Sequence, residues 1–147
     1  MMKTITVVNI QTGAIETRPM TPDEITSTTP PPKPIAEIRT EKLAHLEASR
    51  NLEVVKPVTA LGATWQADSR SQDLLSSAIT LASAGLPLPT VWRDLNNVNL
   101  TITNISQLLA IAGAMATQTQ AAYARSWQKK AEVEAASTPS AVDDVSW

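Results

Sequence analysis

The chain has no cysteine, no phenylalanine, one tyrosine, one histidine and only four glycines among its 147 residues. Each shortage removes a class of function. Without cysteine there is no disulfide framework and no thiolate metal site, and composition leaves no mark of the redox compartment. The glycines (Gly13, Gly62, Gly85 and Gly113) are scattered, so no glycine-rich phosphate loop can be built. His45 lies between Ala44 and Leu46, with no second imidazole to share a metal and no nucleophile pattern beside it, and reads as a plain helix residue. A net charge of −2 and a pI near 5.3 offer no field for nucleic-acid phosphates. No apolar run approaches the ~20 residues that span a bilayer. The start, Met1-Met2-Lys3-Thr4 and then Ile5-Thr6-Val7-Val8-Asn9-Ile10, is too short and too β-branched for a secretory core. A soluble protein without a targeting signal or membrane insertion is expected.

What is present is an aliphatic, alanine-rich hydrophobic content of 43% punctuated by four tryptophans, Trp65, Trp92, Trp127 and Trp147. Indoles among many small side chains act as local anchors rather than as one aromatic core.

Residues 3–18 read as a β-hairpin: Ile5, Val7 and Val8 form a β-branched run, Gln11-Thr12-Gly13 supplies the turn, and Ala14-Ile15-Glu16-Thr17 returns. A lone hairpin is marginal in water, so this one needs the domain or another chain. Thr21-Pro22-Asp23-Glu24 is a helix start, with Thr21 as N-cap, Pro22 at the first position and Glu24 closing a capping box. That helix is cut short by Thr28-Thr29-Pro30-Pro31-Pro32-Lys33-Pro34, a polyproline-type spacer, with a ligand for a proline-recognition module as the remote second choice.

A helix of moderate amphipathicity is expected over 35–51, burying Ile38, Leu43 and Leu46. Val58 to Trp65 predicts a tight hairpin with Leu61-Gly62 at the turn and Val58 opposite Trp65. Ser69 and Gln72 form a capping box for a second helix, which carries Leu74, Leu75, Ala78, Ile79, Leu81 and Ala82 and stops at Gly85. Val91 to Ile102 form another hairpin around Leu95-Asn96-Asn97. A two-residue loop pairs Trp92 with Thr101 and a three-residue loop pairs it with Leu100; the second is preferred because it turns the indole inward beside Val98, Leu100 and Ile102. Asn104 to Gln107 cap a third helix with no strong breaker before Ser137-Thr138-Pro139. Its expected face is Ile105, Leu108/Leu109, Ala112, Met115/Ala116, Thr119, Tyr123 and Trp127. Some thirty residues make roughly 45–50 Å, so it either kinks near Gly113 or packs its second half on something outside the domain. The last eleven residues, small and polar around Asp143-Asp144, read as a flexible tail whose Trp147 could anchor in a partner.

The fold class is thus α+β: a small domain of two short hairpins and three helices, the last one long, with a hairpin arm, a proline-rich linker and a C-terminal tail. The boundaries are 1–27 for the arm and its short helix, 28–34 for the linker, 35–136 for the domain and 137–147 for the tail.

No residue pattern supports catalysis, a cofactor or a metal. Asp68, Asp73 and Asp94 are the only acids worth gathering into a site, and each has a cheaper reading, helix-start electrostatics for the first two and a hairpin end for the third. The chain is expected not to be an enzyme. Residues for partner contact are Ile5, Val7, Pro31, Pro32, Tyr123, Trp127 and Trp147.

A resemblance supplies the rest. Val58-Thr59-Ala60-Leu61-Gly62, Thr64-Trp65-Gln66-Ala67-Asp68, Ser71-Gln72, Leu75, Ala78, Ala82-Ser83-Ala84-Gly85, Trp92-Arg93-Asp94-Leu95-Asn96-Asn97, Leu100-Thr101 and Gln118 to Tyr123 carry it. Over Leu52 to Glu134 the chain resembles a domain family of unknown function found in small tail and tail-fibre-assembly proteins of tailed bacteriophages and prophages. The family's second tryptophan is often followed by an Asp-Asn turn, from which Leu95-Asn96-Asn97 departs. Val7 to Gly13 and Met20 to Glu24 are similar to leaders of other short phage tail proteins. The resemblance implies a virion component of the tail, fibre or baseplate, acting by protein–protein interaction with other tail proteins and as a homo-oligomer. It would be located in the virion, and in the host cytoplasm during assembly. A tail-fibre assembly chaperone is the alternative, and a receptor- or glycan-binding module that meets the host surface is the third. No catalytic residue is implied. On this reading the extended ends lie on neighbouring subunits.

Overall fold

The computed structural model describes residues 3–28 and 31–147, so the linker positions Thr29 and Pro30 lie outside the described residues. Two compact units are present, residues 1–34 and 35–147.

In the first unit, β1 (Thr4–Val8) and β2 (Ile15–Pro19) pair antiparallel with Thr6 opposite Thr17 and Val8 opposite Ile15. The turn is fixed by Asn9, whose side-chain oxygen accepts from the N–H groups of Gln11 and Thr12, and by Gly13 at φ +70°. Helix α1 (Pro22–Thr28) starts as read: Thr21 N–H donates to Glu24 Oε2 at 2.8 Å, and Glu24 N–H donates back to Thr21 Oγ1. The same carboxylate takes a two-pronged grip from Arg18, at 2.7 and 2.6 Å, which ties α1 to β2.

The second unit holds α2 (Ile35–Val54), the hairpin β3 (Val58–Ala60) and β4 (Ala63–Trp65), and α3 (Ser69–Ser83). After them come the hairpin β5 (Val91–Arg93) and β6 (Asn99–Thr101), then α4 (Ile105–Ala135) and α5 (Pro139–Asp143). The β3–β4 register is Val58 with Trp65, as expected, and the turn residues Leu61 and Gly62 take φ of +55° and +75°. The β5–β6 register is Trp92 with Leu100, the three-residue loop, and Asn97 at φ +63° carries its left-handed position. Val98 is exposed in this register, while Leu100 and Ile102 turn inward. Leu95 N–H donates to Thr64 C=O at 2.8 Å and joins the two hairpins.

Helix α3 begins one residue earlier in role than the sequence suggests. Asp68, not Ser69, is the N-cap, because its ionised carboxylate accepts both the N–H and the hydroxyl of Ser71, at 3.1 and 2.7 Å. Gln72 turns back to the Ala67 carbonyl at 2.6 Å. At the other end Gly85, φ +86°, closes a Schellman pair: Gly85 N–H to Ala82 C=O and Leu86 N–H to Leu81 C=O.

Two cores lie along α4. The first gathers Val58, Trp65, Ala67, Leu75, Ile102, Leu108, Ile111 and Met115 from the hairpins, α3 and the first half of α4. The second gathers Leu46, Val133, Ala136 and Val142 from α2, the end of α4 and α5. Three expectations change here. The second half of α4 is covered by α2 within its own unit rather than by something outside it. Its buried face is Ala122, Ser126 and Val133, rotated about 100° from the face through Tyr123 and Trp127. Residues 137–147 do not form a flexible tail: Thr138 caps α5 by accepting from Ala141 N–H, and Val142 is fully buried. The described residues hold five helices in all, where the sequence reading counted three in the domain and a short one in the arm.

Trp65 is 1% exposed, and its indole N–H donates to Ala60 C=O at 2.8 Å, so it pins its own hairpin while filling the first core. Trp65→Ala is expected to cost about 3–5 kcal/mol in urea unfolding. Trp65→Phe, which keeps the bulk and loses the hydrogen bond, should cost clearly less; equal losses would show that the bond to Ala60 carries the effect. In the arm, Arg18 and then the Thr21 N–H lower the Glu24 carboxyl from 4.5 to about 2. A depressed carboxyl stabilises fully above its unfolded value, so the Arg18–Glu24 tie is complete above about pH 4.5 and is lost as pH falls through about 2. Carbon-13 titration of the Glu24 carboxyl should show that midpoint, and Arg18→Gln should move it up toward 4.5.

Candidate functional site

The chemistry-bearing surface of the second unit is the pair α2–α4, which run antiparallel. Side chains link the two helices at three points. Arg39 of α2 donates through its guanidinium to the Ala136 carbonyl at the end of α4. Lys130 and Glu47 approach to 3.9 Å midway. Gln118 of α4 spans the other end, its amide donating to the carbonyls of Glu53 at 3.0 Å and Lys56 at 2.7 Å. Gln118 therefore serves as a C-cap for α2 from a distant part of the chain.

Tyr123 and Arg125, two residues apart on α4, point to opposite flanks of this pair. On one flank Arg125 lies over the Trp147 ring, 5.7 Å from guanidinium carbon to centroid. There the C-terminal segment is held down by Lys42, which donates to the carbonyls of Asp143 at 2.8 Å and Val145 at 3.0 Å. A shallow groove of about 440 Å³ opens beside it, lined by Glu53, Thr59, Thr117, Gln118, Ala121 and Arg125. The Lys56 ammonium, bonded to Glu53 at 2.7 Å, holds that carboxyl below the usual carboxylate range, and the charge of Arg125 adds to it.

The other flank is open. Tyr123 and Trp127 meet edge to ring, with centroids 6.1 Å apart and planes at 63°. The Arg50 guanidinium stands 4.7 Å above the Tyr123 ring, steadied by Glu47 at 3.1 Å and by Asn51 at 2.8 Å. Trp127 is 66% exposed and Tyr123 37%.

Of the residues singled out by sequence, Tyr123 and Trp127 are brought together on this flank, and Trp147 is packed against the chain's own second core on the other. Ile5 and Val7 share one face of β1, Ile5 half-buried and Val7 exposed. Pro31 and Pro32 are exposed, without regular structure. Arg50 and Arg125 were not singled out, and Gln118 only as the start of a segment carrying the resemblance; each acts across the antiparallel pairing of α2 with α4, which no local pattern announces. His45 is exposed. Asp68 caps α3, and Asp94 accepts from the N–H groups of Asn96 and Val98. Among the described residues no group of three or more His, Cys, Asp or Glu could hold a metal ion, and no helix is long and apolar enough to cross a membrane.

Beneath the aromatic pair, Ser126 is fully buried with no hydrogen-bond partner for its hydroxyl. An orphaned buried hydroxyl costs free energy, and alanine is the better helix former. Ser126→Ala is expected to raise stability by about 1 kcal/mol in chemical unfolding, and a loss of stability would show that the hydroxyl is needed in the α2–α4 contact.

No curated protein and no solved structure matches the chain. A family model described as a domain of unknown function, DUF4376, matches residues 37–146, which is nearly the whole second unit and none of the first. The chain belongs to the DUF4376 family, which is loosely associated with phage-related proteins.

Proposed function

We propose that this protein is a structural component of a bacteriophage tail, in the fibre, baseplate or tail-tip region, and that it acts by binding other tail proteins rather than by catalysis. The observation that carries the reading is the open flank of α2–α4, where the exposed Trp127 and Tyr123 meet edge to ring and the mostly buried Arg50 guanidinium braces the Tyr123 ring from α2. These are the residue types that dominate binding energy at protein interfaces. The family's association with phage-related proteins supplies the setting. The two rings meet at 63°, so they offer no coplanar platform for a sugar, which weighs against glycan binding.

The test is mass spectrometry of purified particles, with copy number per tail, for the wild type and for Trp127→Ala. The wild-type chain should be present at a fixed copy number. Because the indole is mostly solvated, Trp127→Ala should change folding stability by no more than about 0.5 kcal/mol. Its incorporation should nevertheless fall about tenfold or more. Absence of the wild-type chain from particles, while it accumulates in the infected-cell lysate, would overturn the reading in favour of an assembly chaperone.

A further inference from the structure

The arm presents two sheet edges of different character. Met20 N–H donates to Lys3 C=O and Asn9 N–H to Ala14 C=O. Alternation along an antiparallel ladder therefore turns the N–H groups of Ile5 and Val7 inward and those of Thr4, Thr6 and Val8 outward. On β2 the outward positions are Ile15, Thr17 and Pro19. Pro19 has no N–H to offer, and Glu16 and Arg18 add charge to that strand. The β2 edge is thus blunted by proline and charge, as protected edges are. The β1 edge has neither device: Thr4-Ile5-Thr6-Val7-Val8 is uncharged and β-branched, and all of its outward donors are intact.

We propose that β1 pairs antiparallel with β1 of a second copy of this chain, building a four-stranded sheet across a two-fold axis at Thr6. The register that pairs all five residues is the one centred there, with Ile5 opposite Val7 of the copy and Thr4 opposite Val8. It brings no like charges together and sets Ile5 and Val7 of the two β1 strands side by side, with Arg18 and Glu16 of each β2 flanking them on that face. Thr6 Oγ1 already lies 3.2 Å from Thr17 Oγ1 within the hairpin. Across the axis this becomes a threonine ladder four strands wide. A two-stranded hairpin is marginal alone, and joining two of them into four strands makes each less so. The inference concerns the arm and does not rest on the tail assignment.

The test uses the full chain, whose lack of cysteine makes any introduced thiol the sole one. Thr6→Cys places two thiols opposite each other with α-carbons about 5.5 Å apart, within disulfide reach. Val8→Cys places them about 14 Å apart. Mild oxidation should give covalent dimer at least about tenfold faster for Thr6→Cys, and the wild type should sediment as a concentration-dependent dimer. Thr6→Pro removes only an outward N–H from each copy and should weaken the dimer about tenfold or more. A variant that disturbs the hairpin itself is covered by amide exchange on the wild type: protection of Thr4, Thr6 and Val8 must rise with concentration. A wild-type chain that stays monomeric, equal crosslinking at positions 6 and 8, or unprotected amides at every concentration overturns the proposal.

Discussion

The length of α4 governs the second unit. A helix of 31 residues extends about 46 Å, more than one small core can cover, and an uncovered apolar stripe in water would not hold. The chain meets this with two covers in series: hairpins and α3 over Leu108, Ile111 and Met115, then α2 with α5 over Ala122, Ser126 and Val133. Gln118 stands near the junction. Its amide supplies the donor that the last carbonyls of α2 lack, so the end of one cover is fastened to the spine between the cores.

The two covers are held by different forces. The first core is apolar and anchored by Trp65, whose one polar atom is satisfied inside its own hairpin. The second is small and closed by charged donors on carbonyls, Arg39 on Ala136 and Lys42 on Asp143 and Val145. Such bonds are strong and directional. Yet Arg39 Nε and Ser126 Oγ are buried without partners, and each such atom opposes the closure. Fewer apolar contacts and orphaned polar atoms put the α2–α5 end at the softer end of this fold.

What the sequence made legible was local. Leu61-Gly62 sets the β3–β4 turn, Gly85 ends α3, and Thr21 with Glu24 starts α1, because each is decided within six residues of chain. The Trp92 register followed from burying an indole. The face of α4 was legible through Leu108, Ala112 and Met115 and misread beyond them, because alanines lie on both sides of the stripe and leave little contrast between Thr119, Tyr123 and Trp127 and the true seam through Ala122 and Ser126. Only a partner helix decides between them, and α2 is more than fifty residues away in the chain. The α5 start was readable in principle, since Thr138-Pro139 is the same N-cap and first-turn pair that was recognised at Thr21-Pro22. The polar composition of 137–147 hid it. The docking of Trp147 on Arg125 is a tertiary event with no local trace.

That rotation of the helix face bears on function. Had Tyr123 and Trp127 faced α2, the scarce aromatic bulk of this chain would all be structural. Instead the seam is filled by Ala122 and Ser126, small side chains that let the helices close, while the only tyrosine and a tryptophan stand outside. Of the other indoles, Trp65 and Trp92 pack in or against the first core and Trp147 against the second. Trp127 alone is mostly solvated, so packing gives no account of it. A chain without phenylalanine that leaves an indole and its one phenol together on an open flank has a surface whose composition folding does not require.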